Sequence, residues 1–246
     1  MDSDDWLALD AVETFVEYQN KYLECDLIIA ANYDVLSDGS LKRNTREMKL
    51  VERNELADYF KKMGGVPWGK FFRRSLIEQQ KIRFPSGVLY AEDTVFILNY
   101  LTNTTSLLMI EQHLYYYNMG NDEAANNKYY PEYYKYFRIY NQALEVFLEK
   151  TTSEDKRKKI ETQLAIHCIN LNIRNYSEGI RNYYTNQYLI RKGLSESLKL
   201  YKGKVKYNIL IEYFGIVKAT LIWCCAGNIL YEILRFKNFL RNRVRQ

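Results

Sequence analysis

Residues 26–36 read DLIIAANYDVL, an apolar run with strand character, and any fold for this chain has to place it in a sheet. The flanking segments alternate between strand and helix signals. The turn SDGS comes next, then the polar stretch LKRNTREMKLV, which the spacing predicts as its hairpin partner. ERNELADYFKKM reads as a short helix stopped by Gly64-Gly65, and VPWGKFFRRSLIEQQ as a loop leading into another helix. AEDTVFILNYLTNT is helical, with Val95, Leu98 and Leu101/Thr102 in phase, and SLLMIEQHLYYYNM is a strand. Ahead of all these, DDWLALDAVETFVEYQNKYL places Leu7, Val12, Phe15, Val16 and Leu23 near one helical face. The aspartates before that face are expected to serve as N-cap and first-turn residues.

Beyond residue 120 the pattern changes. NMGNDEAANN is a polar loop and the expected boundary between a region 1–120 and an all-helical region 121–246. In YYPEYYKYFRIY the residues Tyr130, Tyr133, Tyr134, Phe137 and Tyr140 share a helical face, which predicts packing rather than stacking on bases. No nucleic-acid partner is expected. The net charge of +5 divides unevenly, with 14 acids against 6 Lys/Arg in residues 1–60 and a basic excess beyond them. The stretch GIVKATLIWCCAGNILYEIL is apolar but broken by Lys218, Asn228 and Glu232, so it suits an interfacial helix or a buried hairpin better than a membrane span. The tail RFKNFLRNRVRQ holds five basic side chains and no acid. That predicts either contact with an anionic membrane surface or a solvated helix end. Four irregularly spaced cysteines point to a reducing cytoplasm, and two histidines without CxxC or HExxH exclude a structural zinc site. The acidic N-terminal segment is unlike the basic and then apolar start of a signal peptide.

The segment DSDDW is open to two readings, a helix cap or a hard-cation site whose carboxylates hold Mg²⁺ or Mn²⁺ beside substrate phosphates. The motifs downstream of it bear on the choice. DSDDW, CDLIIAANYDV, GGVPWGKFFRRSLI, AEDTVF and LYYYN occur in that order within residues 1–120. This succession resembles the second half of the family 2 glycosyltransferases of the GT-A fold that elongate bacterial surface polysaccharides.

The resemblance implies a fold class: α/β, a partial GT-A-like mixed sheet with helices, followed by an all-helical C-terminal extension. It implies that Asp2 and Asp4 form the D-x-D pair, contacting the donor's ribose and the Mn²⁺ or Mg²⁺ on its diphosphate, with Asp5 beside them at the donor. It implies that Asp93 is the general base of an inverting transfer, taking the proton of the acceptor hydroxyl. Glu92, Trp68 and Lys70 would form the acceptor side. Gly69 stands where the family has Asn, and Asn118 where it has Arg. His113 is expected to pack rather than to bind metal. The family's nucleotide-binding half, with its P-x-Y-N and DDGS segments, does not occur in the sequence. The expectation is therefore a truncated glycosyltransferase, weakly active or inactive alone. It would take a nucleotide-sugar donor and a saccharide acceptor, in the cytoplasm or peripherally at the inner face of the membrane. The alternatives are a non-catalytic binding or scaffold remnant and a helical membrane-surface protein.

Overall fold

The computed structural model describes residues 3–119, 130, 132–162, 171, 175 and 196. The chain divides into two compact units, one of Met1–Asn127 with Arg138–Arg157 and one of Lys128–Phe137 with Lys158–Gln246.

The first unit is built on two long parallel strands, β2 (Leu27–Val35) and β6 (Ser106–Asn118). Parallel strands need a long crossover, and here the 70 residues between them supply it. Each of these strands has an outer edge shared by two shorter antiparallel strands. On β2, the first half pairs with β5 (Lys70–Phe72) and the second half with β3 (Leu41–Asn44). On β6, the first half pairs with β4 (Lys49–Glu52) and the second half with β1 (Trp6–Leu7). The result is a six-stranded mixed sheet. The register slips midway, where Ile29 faces Met109 but Ala31 faces His113, so β6 bulges against Ala30.

Both faces of the first half of the sheet are covered, which explains why DLIIAA is apolar without alternation. On one face α1 (Ala11–Lys21) sets Ala11 and Phe15 against Ile28, Ala30, Leu108, Ile110 and Leu114. Strand alternation then sends neighbouring phenylalanines to opposite sides. Phe71 stacks on Phe15 at 5.2 Å, while Phe72 meets Phe96 and Tyr100 of α4 (Glu92–Leu101) at 5.7 and 4.9 Å. A 3₁₀ turn (Arg53–Glu55) leads into α2 (Leu56–Met63), and α3 (Arg74–Gln79) follows β5. Phe147 of α5 (Tyr133–Thr151) packs on Phe60 of α2 at 5.7 Å.

Four expectations are corrected. The acids at the N-terminal end do not cap a helix: α1 begins only at Ala11, and Trp6–Leu7 form an edge strand. Leu7, Val12, Val16 and Leu23 are exposed, and the buried face of α1 is Ala11 and Phe15, with Tyr18 and Tyr22 beside them. The inward stripe is the one that packs on Ile28, Leu108 and Leu114 of the sheet, which the apolarity of the helix alone did not single out. The segment read as a loop before α3 contains β5, a strand of three residues, too short to show a period. The expected hairpin partner LKRNTREMKLV divides: Leu41–Asn44 pairs with β2, while Lys49–Glu52 crosses to β6. SDGS makes the β2–β3 turn, with Gly39 at φ 81° and Asp38 accepting from the Ser40 amide. Tyr133, Tyr134, Phe137 and Tyr140 are buried. Among the described residues no helix is long and apolar enough to cross a membrane. The apolar stretch 215–234 and the basic tail lie outside the described residues.

Candidate functional site

The candidate residues lie on segments that the sheet and the start of α4 bring together. Asp5 comes first, because it is buried and both its oxygens are engaged. Tyr115 donates its hydroxyl to Oδ2 at 2.6 Å, and the Asn118 amide donates to Oδ1 at 2.8 Å. Two donors on one carboxylate hold the segment before β1 onto the far end of β6. Asp4, its neighbour, is partly exposed. Asp2 lies outside the described residues.

Tyr115 also meets the acceptor-side segment. Its ring stacks on Trp68 at 5.0 Å, and Tyr117, two residues on along the same face, does the same at 5.0 Å. Gly69 follows with φ 64°, and a Cβ there would lie 3.7 Å from that of Tyr115. The left-handed backbone explains why glycine suits this position. Next to the aromatic pair, Asn32 faces Tyr115 and Asp34 faces Tyr117 across the parallel strands. Asn32 Nδ2 donates to Asp34 Oδ1 at 3.0 Å, and Lys42 reaches Asp34 Oδ2 at 3.7 Å. The amide and the ammonium thus give this buried acid its polar partners.

Lys70 opens β5. Its ammonium donates to the Val66 carbonyl at 2.6 Å and lies close to both Arg46 and Asp93. Burial, with the Arg46 guanidinium adding to it, pushes the amine down to about 7, and the charge of Asp93 opposes the shift. Arg46 is itself fixed, donating through Nε to the Ala30 carbonyl at 2.9 Å and through a terminal nitrogen to the Lys62 carbonyl at 2.5 Å.

Glu92 and Asp93 form the first turn of α4, where free amides and the helix dipole favour negative charge. Two backbone features hold that turn. Ala91 adopts φ 62°, a left-handed conformation costly for a residue with a Cβ. Gly65 abuts Thr94 so closely that a Cβ on it would come within 2.4 Å of the threonine hydroxyl. The Gly64-Gly65 stop of α2 is thus also the seat of the Glu92–Asp93 turn.

Contacts join part of the candidate set, Asp5 to Tyr115 and Tyr115 to Trp68, and Lys70, two residues on from Trp68, feels the charge of Asp93. Sequence reasoning missed Asn32, Asp34, Arg46 and Tyr115, and named Asn118 only as a departure from the family's Arg. The acid inside DLIIAANYDVL was the one available signal, since a carboxylate in an apolar strand needs a partner. His113 packs under Tyr33 at 4.6 Å, with its Nε2 lacking a hydrogen-bond partner. Among the described residues no group of three or more His, Cys, Asp or Glu side chains is placed to hold a metal ion.

No protein-family model matches the chain. Over 175 residues it is 23% identical to the Bacillus subtilis (strain 168) protein "Putative glycosyltransferase EpsH", an alignment covering 68% of this chain and 50% of the relative. Among solved structures it is similar to S. aureus TarS 1-349 in complex with UDP-GlcNAc, with a TM-score of 0.59, 17% identity, and coverage of 93% of this chain and 63% of that one. The S. aureus TarS structure gives a TM-score of 0.58 at 16% identity, covering 91% of this chain and 38% of that one. The chain thus spans half the length of the curated relative it matches. The mixed sheet with its flanking helices is a glycosyltransferase fold.

Proposed function

We propose that the chain is an inverting, metal-dependent glycosyltransferase of the family 2 type, weakly active alone, which holds the acceptor side and the D-x-D part of the donor site and transfers a sugar from a nucleotide donor to a saccharide. The observation that carries this reading is the Glu92–Asp93 turn, seated on Gly65 and coupled to Lys70, at the start of the helix where the motif order expects the base. UDP-GlcNAc is bound by the S. aureus TarS 1-349 crystal structure, and a UDP-sugar is the donor proposed here.

In this mechanism Asp93 takes the proton of the attacking hydroxyl as its oxygen closes on the anomeric carbon and the bond to the nucleotide diphosphate breaks. The charge of Asp93 acts on the Lys70 ammonium and opposes its loss of a proton. Trp68, on its stack of Tyr115 and Tyr117, offers an aromatic surface to an acceptor sugar ring, and Glu92 holds an acceptor hydroxyl. Asp4, together with Asp2, would hold a Mg²⁺ or Mn²⁺. Such an ion needs only one or two protein carboxylates when substrate phosphates complete its shell, so the partly exposed Asp4 fits although no larger acidic cluster is present among the described residues. When bound, that ion would offset charge on the diphosphate leaving group.

The test uses UDP-GlcNAc with Mn²⁺, following binding by calorimetry and UDP release by a coupled assay with water in the acceptor's place. Asp93→Asn is expected to bind donor within about twofold of the parent chain and to lose at least 100-fold in UDP release, the usual contribution of a general base. Undiminished release by this variant would remove Asp93 from the role. No donor binding by the parent chain would remove the whole reading.

A further inference from the structure

Tyr115 touches both halves of the candidate site. Its hydroxyl is hydrogen-bonded to Asp5, one residue from the donor-side Asp4, at 2.6 Å. Its ring carries Trp68 at 5.0 Å and lies under Gly69, one residue from Lys70. It is fully buried and held in the second half of the parallel pair, opposite Asn32. The Asn118 amide fixes the other oxygen of Asp5 to the same strand, so the carboxylate has no freedom to rotate away.

A polar tie of this kind costs desolvation of a carboxylate, and an apolar contact would hold a strand edge as well. What the tie adds is geometry. Both substrates of a transfer must be placed to a fraction of an ångström, and misplacement by about 1 Å costs on the order of 100-fold in rate. Resting on the proposed function, we infer that Tyr115 is a positioning residue whose hydroxyl, through Asp5, sets the donor-side acids against the acceptor wall formed by Trp68. It makes no contact with the reacting atoms. It fixes the distance between the two groups that do.

The test compares Tyr115→Phe, Asp5→Asn and the double variant in the full chain. Phenylalanine keeps the ring under Trp68 and removes only the hydroxyl. Each single variant is expected to lower UDP release from UDP-GlcNAc at saturating donor by about tenfold, and Tyr115→Phe, which leaves every donor-side acid in place, is expected to shift the donor Kd less than threefold. The double variant is expected to be no slower than either single one, because all three break one tie. Hydrogen exchange supplies a readout independent of turnover: amides 4–8 are expected to exchange at least tenfold faster in Tyr115→Phe, and amides 93–101 at the parent rate. Full turnover in Tyr115→Phe, with Asp93→Asn inactive, overturns the inference and leaves the proposed function standing. Multiplicative losses in the double variant, or unchanged exchange at 4–8, overturn it as well. No donor binding by the parent chain overturns both.

Discussion

Lys70 is an ammonium placed where an ammonium is costly. The unfolded chain keeps that proton up to about 10.5, whereas burial and the neighbouring Arg46 lower the folded value to about 7. Between these two values the unfolded chain binds more protons, so stability from this group rises with pH through that window. Below about 7 both states are protonated and the full cost of burying the charge remains. Lys70→Met is therefore expected to raise stability at pH 7 by about 1–3 kcal/mol, as replacing a buried charge by an apolar side chain often does. It is also expected to remove the rise between pH 7 and 10 that the parent chain shows in urea unfolding. Parallel pH profiles for the two proteins would show that the amine is well solvated. Asp5 gives a second case at this scale. From DSDDW alone its acid suits a helix N-terminus or a metal equally well. Its partners Tyr115 and Asn118 stand more than a hundred positions away, where no local pattern reaches them.

Among the elements, α4 is the one whose start matters most, and its placement rests on a glycine outside it. Gly65→Ala would put a methyl group 2.4 Å from the Thr94 hydroxyl, and neither backbone can move without shifting the turn that holds Glu92 and Asp93. The expected cost is about 1–3 kcal/mol of stability by urea unfolding, the range for overpacking, and Thr94→Ala in the same background is expected to recover part of it. No change in stability on Gly65→Ala would mean that the turn is free to adjust. The existence of α4 and its first residues were legible, because AEDT joins an acidic first turn to an apolar run of 3.6-residue period. The turn SDGS and the two long strands were legible for the same kind of reason. The extent of α1 was not: DDWLALD continues its periodicity backwards, yet Trp6–Leu7 pair with Tyr115–Tyr116 and Trp6 stacks on Tyr116 at 5.4 Å. Ladder hydrogen bonds and a stacked tryptophan there outweigh one more turn of helix. β5 was hidden because three residues carry no period, and only the edge of β2 makes KFF a strand.

For the molecule as a whole, one polar knot closes the path from α1 to β6. Asp26 accepts from Arg73 Nε at 3.1 Å and from the amide and hydroxyl of Thr105 at 2.8 and 2.7 Å. Arg73 also donates to the carbonyls of Leu23 and Cys25, while Tyr100 receives the Arg73 amide and donates to the Asp26 carbonyl. The entry to β2, the exit of β5 and the turn before β6 therefore meet at one place. Asp26→Ala is expected to destabilise the chain by about 2–4 kcal/mol, because it strands a partly buried guanidinium, and Arg73→Lys by about 1–2 kcal/mol through loss of the fork. Chemical unfolding followed by tryptophan fluorescence measures both, and a loss below about 0.5 kcal/mol for Asp26→Ala would show that the knot is solvated. By itself the sequence determined which segments are strands and helices wherever a run is long enough to carry a period. It also determined the order of motifs from the acidic segment to Asp93, since both are properties of neighbours along the chain. Only the tertiary structure decided that β2 and β6 lie parallel, that α1 starts at Ala11, and that Tyr115 joins Asp5 to Trp68. Those outcomes depend on contacts between residues far apart in sequence, whose energies exceed local preference and leave no periodic mark.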